Sequence, residues 1–251
     1  MFLDGAEISH LADEFEDKDA YKIIEWVNSR FGDKATIAFS GQVEDCVILH
    51  IMHEISGKNL SAFMLDTGRL NEEVYDLVDR IYSKYGIKIR LYSPDSGETE
   101  DMVGKYGANL FYKDPKYRIM CCGVRKVNVL KRVLKDYAAW ITGVRRGQVS
   151  TRAQTKKIQF DAQFSLVKVS PIADWTWKRV WDYIKDKDVP YCSLYDKGYT
   201  SIGCEPCTRP TFITGDEPTE EELRKGRWWW ERKDSAKECG IHFSYDKNQV
   251  S

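Results

Sequence analysis

The sequence predicts an α/β protein built on a mostly parallel, twisted sheet with helices on both faces. Two observations carry that expectation. Short apolar, partly β-branched runs alternate with segments whose apolar residues recur at helical spacing. A hydrophobic fraction of 42% with 13% aromatic residues over 251 residues supplies a globular core. Strands alternating with helices imply βαβ units, and so a largely parallel sheet.

Residues 1–34 form a helical N-terminal segment, with Ile23, Ile24 and Val27 on one face of a helix over 20–30. Residues 35–39 (ATIAF) are the first strand, which turns at Ser40-Gly41 into a buried helix over 46–55. A second strand over 60–65 ends in Asp66-Thr67-Gly68-Arg69. The stripe Val74, Leu77, Val78 and Ile81 then marks a core-facing helix, closed by Gly86. A third strand covers 87–92. After the Asp114-Pro115 turn come Cys121-Cys122 and a helix through Leu134 carrying Arg125, Lys126, Lys131 and Arg132. Residues 138–143 are a fourth strand, 144–152 a basic loop, and 164–169 a fifth strand. Trp177, Val180, Trp181 and Ile184 mark one more helix before Pro190. Beyond it the sequence is rich in glycine, proline, charge and tryptophan, without a period. Ligands of such sheets sit beyond the carboxyl ends of the strands. The loops 40–45, 66–69 and 143–152 should therefore converge on one crevice, with the remainder of the chain folded over it.

Composition narrows the function. With 38 Lys+Arg against 39 Asp+Glu there is no global basic field for nucleic acid. The acidic start is unlike a secretory signal, and no run approaches the roughly 18 apolar residues of a membrane span. The expected location is the cytoplasm. Seven cysteines suit a reducing compartment and point to metal binding or thiol chemistry, not to a disulfide framework.

Cys204-Glu-Pro-Cys207 lies in a glycine- and proline-containing loop, which favours a metal over a redox pair. Cys121-Cys122 is the other close pair and would complete a four-thiolate site. Neighbouring cysteines reach two irons of a cubane more readily than one tetrahedral zinc. Helix packing is the competing reading of that pair, and a solvated helix face the competing reading of Arg125 and Lys126. Cys239 follows Arg232, Lys233 and Lys237, cations that would favour its reactive thiolate. An ordinary surface thiol is the alternative. Cys46 and Cys192 read as packing.

The Ser40-Gly41-Gln42-Val43-Glu44-Asp45 loop joins strand to helix, where backbone N–H groups receive anions. It is similar to the Ser-Gly loop of the ATP pyrophosphatases, but its acidic residues suit a triphosphate poorly. Arg145, Arg146 and Arg152 supply guanidinium forks matched to phosphate and sulfate oxygens. Arg227 heads a Trp-Trp-Trp-Glu231 segment that reads equally as a hydrophobic clamp.

Taken together, Cys-Cys-Gly-Val-Arg-Lys, the later Cys-x-x-Cys and the terminal Glu-Cys-Gly-Ile-His resemble the assimilatory adenylyl-sulfate reductases, relatives of phosphoadenylyl-sulfate reductase. Leu-Asp-Thr-Gly-Arg, Ile-Thr-Gly-x-Arg-Arg-x-Gln and Gly-Arg-Trp-Trp-Trp-Glu match in the same order, over about residues 35–243. The resemblance implies an adenine nucleotide alpha hydrolase-like fold of the PP-loop type. It divides the chain into the helical segment 1–34, a nucleotide-binding domain with an iron–sulfur site over 35–210, and a tail over 211–251 carrying the catalytic cysteine. It further implies one [4Fe–4S] cluster on Cys121, Cys122, Cys204 and Cys207, with Cys239, Lys126 and His242 catalytic. Substrate would meet Ser40, Gly41, Asp66, Thr67, Gly68, Arg69, Arg145, Arg146, Arg152 and Arg227. In the implied reaction the Cys239 thiolate attacks the sulfate sulfur of adenylyl sulfate, and a thioredoxin- or glutaredoxin-like reductant releases sulfite. Neither nucleic acid nor a membrane is an implied partner, and a homo-oligomer is compatible with the reading. Reduction of phosphoadenylyl sulfate is the nearest alternative, although within the family cluster ligands go mainly with the unphosphorylated substrate. An ATP-dependent tRNA-thiolating enzyme and a zinc-binding interaction module are more distant ones.

Overall fold

The computed structural model describes residues 5–58, 60–213, 218–231 and 238–242. Arg232, Lys233 and Lys237, expected to influence Cys239, lie outside the described residues, as do parts of the 211–251 tail.

Six strands form one sheet in the order β3-β2-β1-β4-β6-β5. They are β1 (Ala35–Ala38), β2 (Ala62–Leu65), β3 (Ile89–Tyr92), β4 (Ala139–Ile141), β5 (Ile158–Asp161) and β6 (Leu166–Val169). All neighbours pair in parallel except β5, which runs antiparallel on the outer edge of β6, Ile158 facing Val169. The chain builds outward from β1 to β3, then returns to the other side of β1 as β4. That reversal places a switch point between β1 and β4, where a crevice opens at the strand ends.

Side chains alternate across the sheet with the strand period of two. Ala139 and Ile141 of β4 join the main core, whereas Trp140 between them packs on the opposite face with Phe63. The main core lies under α1 (Gly5–Glu14), α2 (Ala20–Phe31), α3 (Val43–Ser56), α4 (Glu72–Tyr85) and α8 (Trp177–Asp186). Ile23, Ile24 and Val27 of α2 are wholly buried there, beside Ile48 and Ile51 of α3. Asp19 caps α2 by accepting from the Lys22 amide, and Gly32 closes it with φ 51°. The opposite face is covered by α7 (Asn128–Leu134), whose Val129, Leu130, Val133 and Leu134 pack on Phe63, Trp140 and Leu166.

Four expectations change. The helix expected from residue 46 begins at Val43, so Glu44 and Asp45 occupy its first turn. The run at 164–169 is β6, and β5 precedes it as an unexpected hairpin partner. An additional helix, α5 (Ser96–Tyr106), is capped by Asp95 and fully buries only Met102. The helix expected through Leu134 is broken: α6 (Pro115–Cys122) runs into a π turn over Gly123–Val127 before α7. A wider π turn shifts the side chains around the axis, and such turns gather at functional sites. This one carries Arg125 and Lys126 directly after the cysteine pair.

Candidate active site

Beyond β1, β2 and β4 lies a cleft, open to solvent, that offers about 940 Å³ of empty space including its mouth. Ser40, Thr67, Lys126, Arg152, Arg224, Arg227, Cys239 and His242 all line it. The loops after β1 and β4 are tied together by Asp45. Its carboxylate accepts from the Ser40 amide at 2.8 Å, the Ser40 hydroxyl at 2.5 Å and the Gly143 amide at 3.1 Å. A side chain at Gly143 would strike Asp45 and Glu44, so that close approach needs glycine. Burial pushes the Asp45 carboxyl up to about 7 against the Ser40 hydrogen bonds, and the Glu44 charge adds to the rise.

Glu44 is itself neutralised. Arg145, 1% exposed, pairs with it at 2.9 Å, and Gln148 donates to the same oxygen at 3.0 Å. Arg146 pairs with Glu16 and donates to the Thr155 carbonyl at 2.8 Å. Of the three arginines in this loop, only Arg152 lines the cleft; Arg145 and Arg146 brace its wall from outside.

The loop after β2 divides in the same way. Thr67 lines the cleft, and its hydroxyl lies 3.3 Å from the Cys204 sulfur. Asp66 accepts from the Gly68 amide at 2.9 Å and from the Tyr75 hydroxyl at 2.8 Å. Gly41 and Gly68, at φ 81° and 68°, shape their loops, and neither lines the cleft. Arg69 points away, donating to Ala108 and Asn109 and packing over Phe111.

A second cavity, with about 390 Å³ of open space, adjoins the first. Cys121, Cys122, Cys204 and Cys207 all line it, together with Arg69, Arg118 and Arg125. None of the four is in a disulfide. Lys126 and Arg227 line both cavities and so connect them. Burial raises the Cys121 and Cys122 thiols and pushes Cys207 up to about 11. Cys204 ends below its ordinary value, because Lys126, the Thr67 hydrogen bond and Arg227 outweigh the effect of burial. Among the described residues, no group of three or more His, Cys, Asp or Glu is placed to hold a single metal ion. Cys46 and Cys192 are buried in the main core, as packing residues should be.

Cys239 is half-buried and sits between anchored neighbours. Glu238, 2% exposed, accepts from Arg152 Nε and Nη2 at 2.9 Å each, with Arg224 Nη2 at 3.6 Å. Gln163 donates to the Gly240 carbonyl at 3.0 Å. His242 stacks on Trp140, with centroids 5.6 Å apart and planes at 15°. Burial, then the Lys168, Arg152 and Arg224 charges, holds the imidazole well below its usual range. Its Nδ1 has no hydrogen-bond partner among the described residues. Sequence reasoning missed Asp45, Glu238 and Arg224 as site residues. Only the position of Arg224 beside Arg227, and of Glu238 beside Cys239, could have signalled the latter two.

Residues 34–210 match the family described as the phosphoadenosine phosphosulfate reductase domain. The chain is 41% identical over 242 residues to a Pseudomonas aeruginosa (strain LESB58) protein named adenosine 5'-phosphosulfate reductase, covering 94% of this chain and 86% of that one. It is 40% identical over 245 residues to the chloroplastic 5'-adenylylsulfate reductase 3 of Arabidopsis thaliana, covering 94% of this chain and 51% of that protein. The fold is shared with a crystal structure of phosphoadenylyl-sulfate reductase from Candida auris, at a TM-score of 0.70 and 23% identity, over 82% of this chain and 98% of that one. Motif order, sheet topology and sequence similarity agree: the chain belongs to the phosphoadenosine phosphosulfate reductase family.

Proposed function

We propose that this chain reduces adenylyl sulfate to sulfite and AMP, using electrons from a thioredoxin- or glutaredoxin-like dithiol in the cytoplasm. The observation that carries this reading is the position of Cys239 in a cleft lined by Lys126, Arg152, Arg224 and Arg227. A phosphosulfate concentrates negative charge, and preorganised cations stabilise the charge that grows on the departing phosphate. Relatives named for the adenylyl-sulfate substrate support the unphosphorylated nucleotide.

The Cys239 thiolate attacks the sulfate sulfur in line. A bond forms from Sγ to that sulfur as the bond to the phosphate oxygen breaks, and AMP leaves with the electron pair. The sulfonate stays on Cys239. A thiolate of the reductant then attacks Sγ, sulfite leaves with the S–S electron pair, and the reductant's second thiol closes a disulfide and frees Cys239. Sulfur gains the two electrons that the two thiols lose. Burial and neighbouring cations hold the His242 ring well below its usual range, and its Nδ1 has no hydrogen-bond partner among the described residues. It is therefore suited to contact the phosphate and not to take the thiol proton. Ser40 and Thr67 present the nucleotide platform to the cleft, while Gly41, Asp66 and Gly68 shape the loops that carry them. Arg152 and Arg227 hold the anion, while Arg69, Arg145 and Arg146 support the walls.

One [4Fe–4S] cluster is the cofactor of this reading, held by Cys121, Cys122, Cys204 and Cys207. Four free thiols lining one cavity, with two of them adjacent in sequence, are a donor set that suits the irons of a cluster. When bound, the cluster supplies an anionic body that Lys126 and Arg125 neutralise, and it orders the wall shared with the cleft. The segment 1–34, the nucleotide-binding domain 35–210 and the cysteine-bearing tail 211–251 are the working parts. A homo-oligomer is compatible with them.

The test is turnover with thioredoxin under anaerobic conditions. Sulfite and AMP should form from adenylyl sulfate, with a higher kcat/KM than phosphoadenylyl sulfate supports. The latter substrate, which would give adenosine 3',5'-bisphosphate, is favoured by the family's description, and a reversed preference would establish it.

A further inference from the structure

Arg118 is buried to 1%, lies outside every motif described above, and uses its whole guanidinium. Nε donates to Glu231 Oε1 at 2.8 Å, and Nη2 donates to Glu231 Oε2 at 3.1 Å. Nη1 donates to the carbonyl oxygen of Glu238, the residue before Cys239. The planar group also lies over the Trp228 ring, 4.5 Å from its centroid. Trp228 itself holds a left-handed φ of 44°, a conformation that persists only where its surroundings fix it.

The placement of Arg118 on its own helix is equally specific. It stands three and four residues before Cys121 and Cys122 on α6, the spacing that puts side chains on one helix face. It lines the four-cysteine cavity with them. One side chain therefore joins three parts: the cysteine-pair helix, the Trp loop through Glu231, and the nucleophile's segment through Glu238. The fork geometry matters, because lysine cannot bind a carboxylate bidentately and a carbonyl at the same time.

We propose that Arg118 is a positioning residue that sets the register of Cys239 against the four-cysteine cavity and the cationic cleft. The inference rests on the reaction proposed above, but one arm of its test does not. Glu231 acts with Arg118 by holding the guanidinium plane, so that Nη1 meets the Glu238 carbonyl. Displacing a reacting group by about 1 Å costs on the order of 100-fold in rate. That loss appears in the chemical step, since Arg118 does not line the nucleotide cleft.

The experiment compares Arg118→Lys and Glu231→Gln with the unaltered chain, purified anaerobically. Cys239 S-sulfonation by adenylyl sulfate is followed by quenched intact mass, at saturating and at limiting nucleotide. Both variants should sulfonate Cys239 about 100-fold more slowly at saturation, with half-saturation within about twofold and with iron content and visible spectrum retained. In the second arm, the nucleotide-free proteins are labelled with iodoacetamide, and the Cys239 peptide is read by mass. Loss of a charged hydrogen bond should free the segment and speed that labelling about tenfold. Unchanged labelling and unchanged saturated rate in both variants would overturn the proposal. A rate loss matched by equal loss of iron or of folded protein would also overturn it, by making Arg118 a support of the fold alone. If the unaltered chain forms no sulfonate while the labelling arm responds, the reaction fails and the positioning stands.

Discussion

Each acidic residue of the loop after β1 has a definite burden, and Asp45 has the heaviest. Its carboxyl titrates near 7 in the folded chain against an ordinary value of 3.8. Between about pH 4 and 7 the folded state therefore holds a proton that the unfolded state has released, and stability falls as pH rises through that window. Urea unfolding at pH 5 and pH 8 should show this loss, with a ceiling of roughly 4 kcal/mol for such a shift. Asp45→Asn should flatten it. Glu44 and Arg145 give a contrasting test. Removing one partner of a buried pair strands the other charge, so Arg145→Met should cost about 3–5 kcal/mol by urea unfolding. Because Arg145 does not line the cleft, its folded molecules should keep a KM for adenylyl sulfate within about twofold of the unaltered chain. Gly203 offers a steric version of the same reasoning. An added Cβ there would overlap the Arg227 guanidinium, which now donates to the Ile202 carbonyl at 2.5 Å. Gly203→Ala should raise the KM for adenylyl sulfate as Arg227→Met does. An unchanged KM would remove Arg227 from the anion site.

At the scale of elements, α3 does the most to build the cleft. It starts directly after the Ser40 loop, buries ten residues from Val43 to Met52, and points its first turn at the strand ends. Ile48→Ala would leave a cavity under it and should cost about 2–5 kcal/mol, read as a shift in the urea midpoint. The start of α3 was misplaced from sequence because Glu44 and Asp45 look like surface residues. Only the tertiary partners, Arg145 and the Gly143 amide, explain their burial. The helix α5 was missed because it buries a single apolar side chain and so shows no stripe, although its Asp95 cap was readable. The strand β5 was missed because its inward face is only half covered: Ile158 and Phe160 share that face, yet Ile158 is buried and Phe160 is half exposed at the sheet edge. The π turn over Gly123–Val127, which carries Arg125 and Lys126, has no local sequence signal.

For the molecule as a whole, the parallel architecture and the clustering of distant motifs were legible. Alternating apolar runs fix the βαβ succession, and the switch point then dictates where their loops meet. The pairing of Cys121-Cys122 with Cys204 and Cys207, more than eighty residues apart, was readable from cysteine arithmetic. The anchoring of Cys239 was not, because it depends on Arg118, Arg152 and Gln163 from three separate parts of the chain. The cluster assignment predicts a brown protein with iron and acid-labile sulfide when purified without oxygen. Cys207→Ser should lose that absorption, whereas Cys192→Ser should retain it; stoichiometric zinc in place of iron would contradict the assignment.

The central claim is that Cys239 accepts the sulfonate in a cationic cleft. It is tested most directly by intact mass after anaerobic incubation with adenylyl sulfate and no reductant. One sulfonate per chain should be added, located on the Cys239 peptide and absent in Cys239→Ser. An adduct that persists in that variant, or none in the unaltered chain, would contradict it.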